Sequence, residues 1–373
     1  MRIAIDARIA HYTGAGIGQY TVHLAQALAR RDQVNRYIIL QSRKDHRFLV
    51  NEPNVRRVSL WTPSHNRLEQ ELLAVELPLR RLDIDLLHSP DFIPPLRLNG
   101  FKSVITVHDL AFLRWPHFMT ADSARYYGQV DQAVKRADAI IAVSESTKND
   151  LERLLGASPD KITVVHEAAD PVYRPMPKDE AWASLKSKYP LPDEFILFVG
   201  TIEPRKNIGT LLRAYRRLRD DYKLTAGLVL AGAVGWLSDQ VFEDVEQLGL
   251  KEHVTFLGRV ENGNLVYLYN AARCLAHPAF YEGFGLTPLE AMACGTPVVA
   301  SNVSSVPEVV GDAALLVDPN SDEALAVALQ RLLTDDALWV SLREKGLARA
   351  RTFSWERAAE ETLAVYHRVL GVA

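Results

Sequence analysis

Two carboxylates, two adjacent cations and two glycines carry most of the chemistry legible in this chain. The segment Tyr281–Gly295 reads YEGFGLTPLEAMACG. Gly283 and Gly285 let the backbone approach a ligand closely. The loop they form runs into a helix whose opening N–H groups suit phosphate or sugar oxygens. Glu290 has two readings. Thr287, Pro288 and Glu290 spell a capping box with Thr287 at the N-cap, which would use Glu290 for the helix itself. A carboxylate in the first helical turn can also accept both hydroxyls of a ribose. Glu282 lies in the loop ahead of the cap, and capping does not account for it.

A second segment, Phe198–Asn207, reads FVGTIEPRKN. A strand ends at Gly200, and Arg205 and Lys206 fall just before a helix that Asn207 would cap. Paired cations at a helix N-terminus suit a diphosphate, because dipole, amides and side chains all favour an anion. The alternative is an ordinary solvated basic pair. Both segments follow strand ends of the same expected sheet, where one ligand could meet both.

The early loop YTGAGIGQY holds Gly14, Gly16 and Gly18. Its spacing is G-x-G-x-G rather than the dinucleotide pattern, and Asp32 precedes the next strand instead of closing it, so a nicotinamide dehydrogenase is disfavoured. His108 and Asp109 end another strand. His108 could donate to a sugar hydroxyl, or be a structural histidine satisfied by backbone. Asp83 and Asp85 imitate a metal-binding Asp-x-Asp, but without further ligands they read as a turn and a strand start. Arg213, Arg216, Arg217 and Arg219 read as a solvated helix face. Leu68–Leu82 reads as a core helix, and is the place to look for a membrane foot.

Positioning these groups requires buried strands alternating with helices. Apolar runs at 3–5, 37–40, 85–88, 103–107, 139–143 and 162–165 are followed by others at 195–199, 228–231, 254–257, 274–277, 297–300 and 314–317. Amphipathic helical patterns such as 19–30, 208–219 and 322–333 lie between them, which predicts parallel sheets covered by helices. The rhythm pauses over a proline-rich stretch. The expected division is an N-terminal domain 1–170, a linker 171–194, a C-terminal domain 195–354, and a final helix 355–373. A length of 373 residues suits two such domains. The two cysteines, Cys274 and Cys294, lack partners for a zinc site and read as packing groups. A net charge of −3 argues against a nucleic-acid partner. MRIAIDAR has no apolar signal region and no run spans a bilayer. A cytoplasmic location is expected, with association at the inner face of a membrane left open.

Taken together, these motifs resemble the family-four retaining glycosyltransferases. Glu282 and Glu290, with seven residues between them in EGFGLTPLEAMACGTPVVAS, are similar to the family's Glu-x-seven-Glu signature. GTIEPRKN resembles its diphosphate loop, and FLGRV at 256–260 its base-recognition strand. The glycine loop, the VHD at 107–109 and the VSES at 143–146 also fit, and the opening segment looks like bacterial mannosyl- and glucosyltransferases of surface polysaccharide assembly.

The resemblance implies the GT-B fold: α/β, two Rossmann-like domains facing across a cleft, acceptor domain first. It implies that Arg205 and Lys206 hold the diphosphate, that Glu290 accepts the ribose hydroxyls, and that Glu282 with the backbone of Gly283, Phe284 and Gly285 holds the sugar. Leu286 and Thr287 would reach the phosphates, with Gly200 opening their loop. Gly258 and Arg259 would border the base, Gly16 would lie near donor phosphate and acceptor, and His108 would approach the sugar. No cofactor or metal is implied, since the cations take the place of Mg²⁺. The activity implied is retaining transfer of a hexose from UDP-glucose or GDP-mannose to a glycan or lipid-linked hydroxyl. The alternatives are a non-catalytic sugar-nucleotide-binding subunit and a GT-B epimerase or hydrolase.

Overall fold

The computed structural model describes residues 1–12, 16–66, 68–96, 100–116 and 127–372. Thr13, Gly14 and Ala15 of the glycine loop lie outside the described residues. The chain forms two compact units, one of residues 1–167 with 354–373 and one of residues 168–353. Among the described residues no helix is long and apolar enough to cross a membrane.

The first unit holds seven described strands: β1 (Arg2–Asp6), β2 (Arg36–Ser42), β3 (Val55–Leu60), β4 (Leu86–Ser89), β5 (Lys102–Val107), β6 (Ala139–Ala142) and β7 (Ile162–Val164). They pair in the order β3-β2-β1-β4-β5-β6-β7, all parallel. Strand β3 escapes the sequence reading because VRRVSL buries only alternate residues, as an edge strand does. The central strands are buried on both faces and read as apolar runs, as does the short opposite edge strand β7.

The last helix, Trp355–Leu370, belongs to this unit and packs on the helix Ile17–Arg31. Ser354 caps it by accepting the Arg357 amide. The Trp355 ring stacks on His23 at 5.3 Å and meets Tyr20 edge-on at 5.9 Å. Farther along, the Tyr366 hydroxyl lies 2.6 Å from His88 Nδ1, whose Nε2 lies 2.8 Å from Thr106 Oγ1. Burial, helped by the charge of His108, pushes His88 down to about 3, so it is neutral in this bridge.

The second unit holds β8 (Phe195–Val199), β9 (Gly227–Ala231), β10 (Val254–Gly258), β11 (Cys274–His277), β12 (Val298–Ser301) and β13 (Leu315–Val317). Their order is β10-β9-β8-β11-β12-β13, all parallel. Its core joins Phe198 and Leu230 on the strands to Leu211 and Tyr215 on the helix Ile208–Asp220. That helix turns its arginines outward. Arg216 pairs with Asp220 and Arg217 with Asp322. Residues 171–194, expected as a linker, lie within this unit and carry the helix Lys178–Leu185, which buries Ala181 and Leu185. Both cysteines are buried and free.

Candidate functional site

In each sheet the strand order reverses beside the first strand of the unit. Loops on either side of that point leave toward opposite faces and open a crevice at the carboxyl ends. In the second unit the reversal falls between β8 and β11. The loops that follow them are the two segments singled out by their charged residues.

Backbone and side-chain bonds tie these loops into one group. The Phe280 amide donates to Arg205 O at 2.9 Å. Asn207 stands at the N-cap of the helix Ile208–Asp220 with φ 57°. Its side chain does not cap; its amide instead donates to Pro278 O at 2.9 Å and Pro319 O at 2.7 Å. Gly232 is required by close approach, since a Cβ there would stand 1.8 Å from Gly200 O.

Lys206 Nζ donates to Glu282 Oε1 at 2.5 Å, and both side chains are about one-tenth exposed. Arg205 reaches Glu282 Oε2 at 3.2 Å, Tyr281 O at 2.9 Å and Glu203 Oε1 at 2.8 Å. His277, at the end of β11, lies beneath, with Nε2 3.0 Å from Glu282 Oε1 and off the line of an ideal hydrogen bond. Burial opposes the charge on Glu282, but Lys206 and Arg205 outweigh it and hold the carboxyl well below the usual range. Burial lowers His277 in turn, against the pull of Glu282, so His277 is neutral.

Gly285 adopts φ 113° and is itself the N-cap of the helix Leu286–Cys294. This corrects the capping box. The helix opens before Thr287, Pro288 occupies a turn where an amide would have no helical partner, and Glu290 is the fifth helical residue rather than the third. The first i→i−4 bond runs from the Leu289 amide to Gly285 O, leaving Leu286 and Thr287 at the helix mouth. Glu290 Oε2 accepts from the Tyr269 hydroxyl at 2.7 Å. The loop at 282–285 is stapled from the segment after β12. Ser304 accepts the Glu282 amide at 3.0 Å, and Ser305 donates to Glu282 O and Phe284 O at 2.9 and 2.6 Å. His277, Tyr269, Ser304 and Ser305 have no motif of their own. The run of buried β11 ending in histidine was the one available signal.

Gly258 ends β10 with φ 64° and accepts the Gly232 amide at 2.8 Å, while Arg259 beside it is exposed. In one unit, then, the structure brings together Gly200, Arg205, Lys206, Glu282, Gly283, Phe284, Gly285, Leu286, Thr287 and Glu290, with Gly258 and Arg259 on the far side of β9.

His108 and Gly16 belong to the first unit. Gly16 is the N-cap of Ile17–Arg31. His108 Nδ1 lies 2.9 Å from Glu167 Oε1 and Nε2 lies 2.9 Å from Pro90 O. Two acceptors call for two N–H groups, which is the imidazolium. Burial works against that charge, but Glu167 outweighs it and raises the value. For His108 to serve a sugar hydroxyl, that hydroxyl must replace Pro90 O. Between β1 and β4, Arg8 is buried with Asp6 at 2.6 Å and Glu69 at 2.5 Å. His65 meets Asp91 at 3.0 Å, and the Ser89 hydroxyl beside them is buried with no hydrogen-bond partner among the described residues. Asp83 and Asp85 both pair with Arg2, which explains them without a metal.

Two Rossmann-ordered parallel sheets, one with paired cations, a carboxylate and a helix mouth at its switch point, define a glycosyltransferase of the GT-B type. Residues 14–172 match the family described as Glycosyltransferase Family 4, and residues 184–350 match Glycosyl transferases group 1. An Escherichia coli protein named O-antigen chain mannosyltransferase B is 34% identical over 98% of this chain and 99% of its own. The chain belongs to this family of glycosyltransferases. Among solved structures, sucrose-phosphate synthase from Thermosynechococcus elongatus superposes with a TM-score of 0.82 at 24% identity, covering 99% of both chains. Anabaena HepE in complex with UDP and glucose superposes with a TM-score of 0.75 at 18% identity, covering 98% of this chain and 99% of its own. Both are likenesses of fold.

Proposed function

We propose that this chain transfers a hexose, with retention of configuration, from a nucleotide-diphosphate sugar to a hydroxyl of a glycan or lipid-linked acceptor during polysaccharide assembly. Mannose from GDP-mannose is the first choice, because the full-length relative in E. coli is named a mannosyltransferase, and UDP-glucose is the second. The observation that carries the reading is the group Arg205, Lys206, Glu282 and the Leu286–Cys294 helix mouth at one switch point.

In this reading the diphosphate takes over Lys206 and Arg205, which stabilise the negative charge that grows as it leaves. Two cations beside helix amides supply what a divalent ion supplies elsewhere, so no metal is required. Glu290 receives the ribose hydroxyls. Glu282 binds sugar hydroxyls, and no covalent attack by its carboxylate is invoked. The C1–O bond to the diphosphate breaks, the acceptor oxygen bonds to C1 on the same face, and the acceptor proton passes to a diphosphate oxygen. The reaction belongs in the cytoplasm, at the inner face of a membrane. In support, Leu68, Val75 and Leu79 are exposed on or beside the helix Glu69–Leu79, ahead of Arg80 and Arg81.

The test is product formation from GDP-mannose and from UDP-glucose on a mannose-terminated lipid-linked acceptor, with and without EDTA, with the anomeric configuration read by NMR. Retained configuration and EDTA-resistant turnover with one donor support the reading. Inverted product, EDTA-sensitive turnover, or release of free or epimerised sugar would overturn the corresponding part.

A further inference from the structure

Behind Glu290 lies a group that no motif marks. Tyr269, on the helix Asn262–Ala271 that precedes β11, is completely buried. Its hydroxyl donates to Glu290 Oε2 at 2.7 Å. Burial, reinforced by the charge of Glu290, raises the phenol well above its ordinary value, so it is a donor at every working pH. Tyr173 meets the ring edge-on at 5.6 Å, and the Thr296 hydroxyl ties down the backbone by donating to the Tyr269 carbonyl at 2.6 Å. Glu290 itself is only half-buried. One of its oxygens is therefore held from inside the fold, while the residue as a whole reaches the surface.

We infer that Tyr269 is a positioning residue for nucleotide recognition. Its hydroxyl fixes the rotamer of Glu290 so that the carboxylate is already set to accept a ribose hydroxyl. A carboxylate on a flexible side chain must otherwise be ordered when the ligand binds, which weakens the contact it makes. A charge-assisted hydrogen bond to a rigid, buried phenol removes that cost before the ligand arrives. Tyr173 makes the same device depend on residues 173–176, whose backbone is bonded to Asn270 on the same helix as Tyr269.

This inference rests on the reading that Glu290 receives ribose, and one experiment separates the two. UDP, GDP and their 2′-deoxy counterparts are titrated calorimetrically into the whole protein, into Tyr269→Phe and into Glu290→Gln, with folding checked by circular dichroism. The wild type is expected to bind the better ribonucleotide about tenfold more tightly than its deoxy form, the scale of a hydrogen bond to a charged group. In Tyr269→Phe that ratio is expected to fall below about threefold, while affinity for the deoxy form holds. A Tyr269→Phe variant that keeps the full ratio, while Glu290→Gln loses it, overturns the role of Tyr269 and leaves the Glu290 reading standing. Equal weakening of ribo and deoxy forms in Tyr269→Phe means loosened packing only, and also overturns it. A wild type without ribose preference, or a Glu290→Gln variant that keeps it, removes the reading of Glu290 and the role of Tyr269 together.

Discussion

At the switch point of the 168–353 unit, Glu282 faces two cations, Lys206 and Arg205, and Arg205 also holds Glu203. At the corresponding point of the other unit a single buried cation, Arg8, lies between Asp6 and Glu69, with Asp91 paired to His65 close by. The same strand order thus frames opposite charge patterns. In the first, the cations sit beside helix amides, and an arriving diphosphate can take Lys206 over from Glu282. In the second, carboxylates outnumber the permanent cation, and the unpartnered Ser89 hydroxyl stands among them. Such a group suits neutral hydroxyls and repels phosphate. Equal scaffolds thus come to suit different ligands through the side chains at a few loop positions.

The comparison breaks most directly at Lys206. Lys206→Ala should lower kcat/KM by about 10²- to 10³-fold, as loss of one preorganised charge donor does. Initial rates within threefold of wild type would detach the diphosphate from this group. Next in size is the opposite kind of change in the other unit. Arg8→Met leaves Asp6 and Glu69 buried without their cation and should cost about 3–5 kcal/mol in denaturant unfolding. A loss under about 1 kcal/mol would mean that water already reaches that cluster.

Glu282→Gln sharpens the charge argument, because it separates binding from transfer. Turnover should fall by about 100-fold, while pyrophosphate, with Lys206 released from its internal partner, binds as tightly as before or more tightly. Weaker pyrophosphate binding would show that the carboxylate organises the anion site instead of competing for it. The smallest expected effect is at His108. Its folded-state value is raised, so its contribution to stability is complete below its ordinary value of about 6.5 and is lost as pH rises through the folded value. Glu167→Gln should lower the imidazole titration seen by NMR. An unchanged titration would assign the imidazolium to some other neighbour.

The fold was largely legible in the sequence because central parallel strands are buried on both faces and leave continuous apolar runs. Edge strand β3 was missed for the same reason, since half its residues face outward. Charged groups at strand ends were legible too, because Arg205, Lys206, Glu282 and Glu290 fall where a doubly wound sheet binds ligands. What the sequence concealed is the layer beneath them. His277, Tyr269, Ser304 and Ser305 act through contacts made only once β11, β12 and their helices are packed, and no local spacing encodes such contacts. Thr287 shows the converse. Its local signature is a good cap, yet Gly285 at φ 113° starts the helix earlier, because the loop must turn sharply beneath Ser304 and Ser305.

The helix Trp355–Leu370 completes the first unit although 186 residues of the second unit, 168–353, precede it in the chain. During synthesis, the sheet of the first unit emerges early but lacks Trp355 against Tyr20 and Tyr366 against His88 until residues 355–370 have left the ribosome. The 168–353 unit has its whole sequence available sooner. Order of completion is therefore the reverse of order in the sequence, and a nascent chain would close its second sheet before the first unit is sealed.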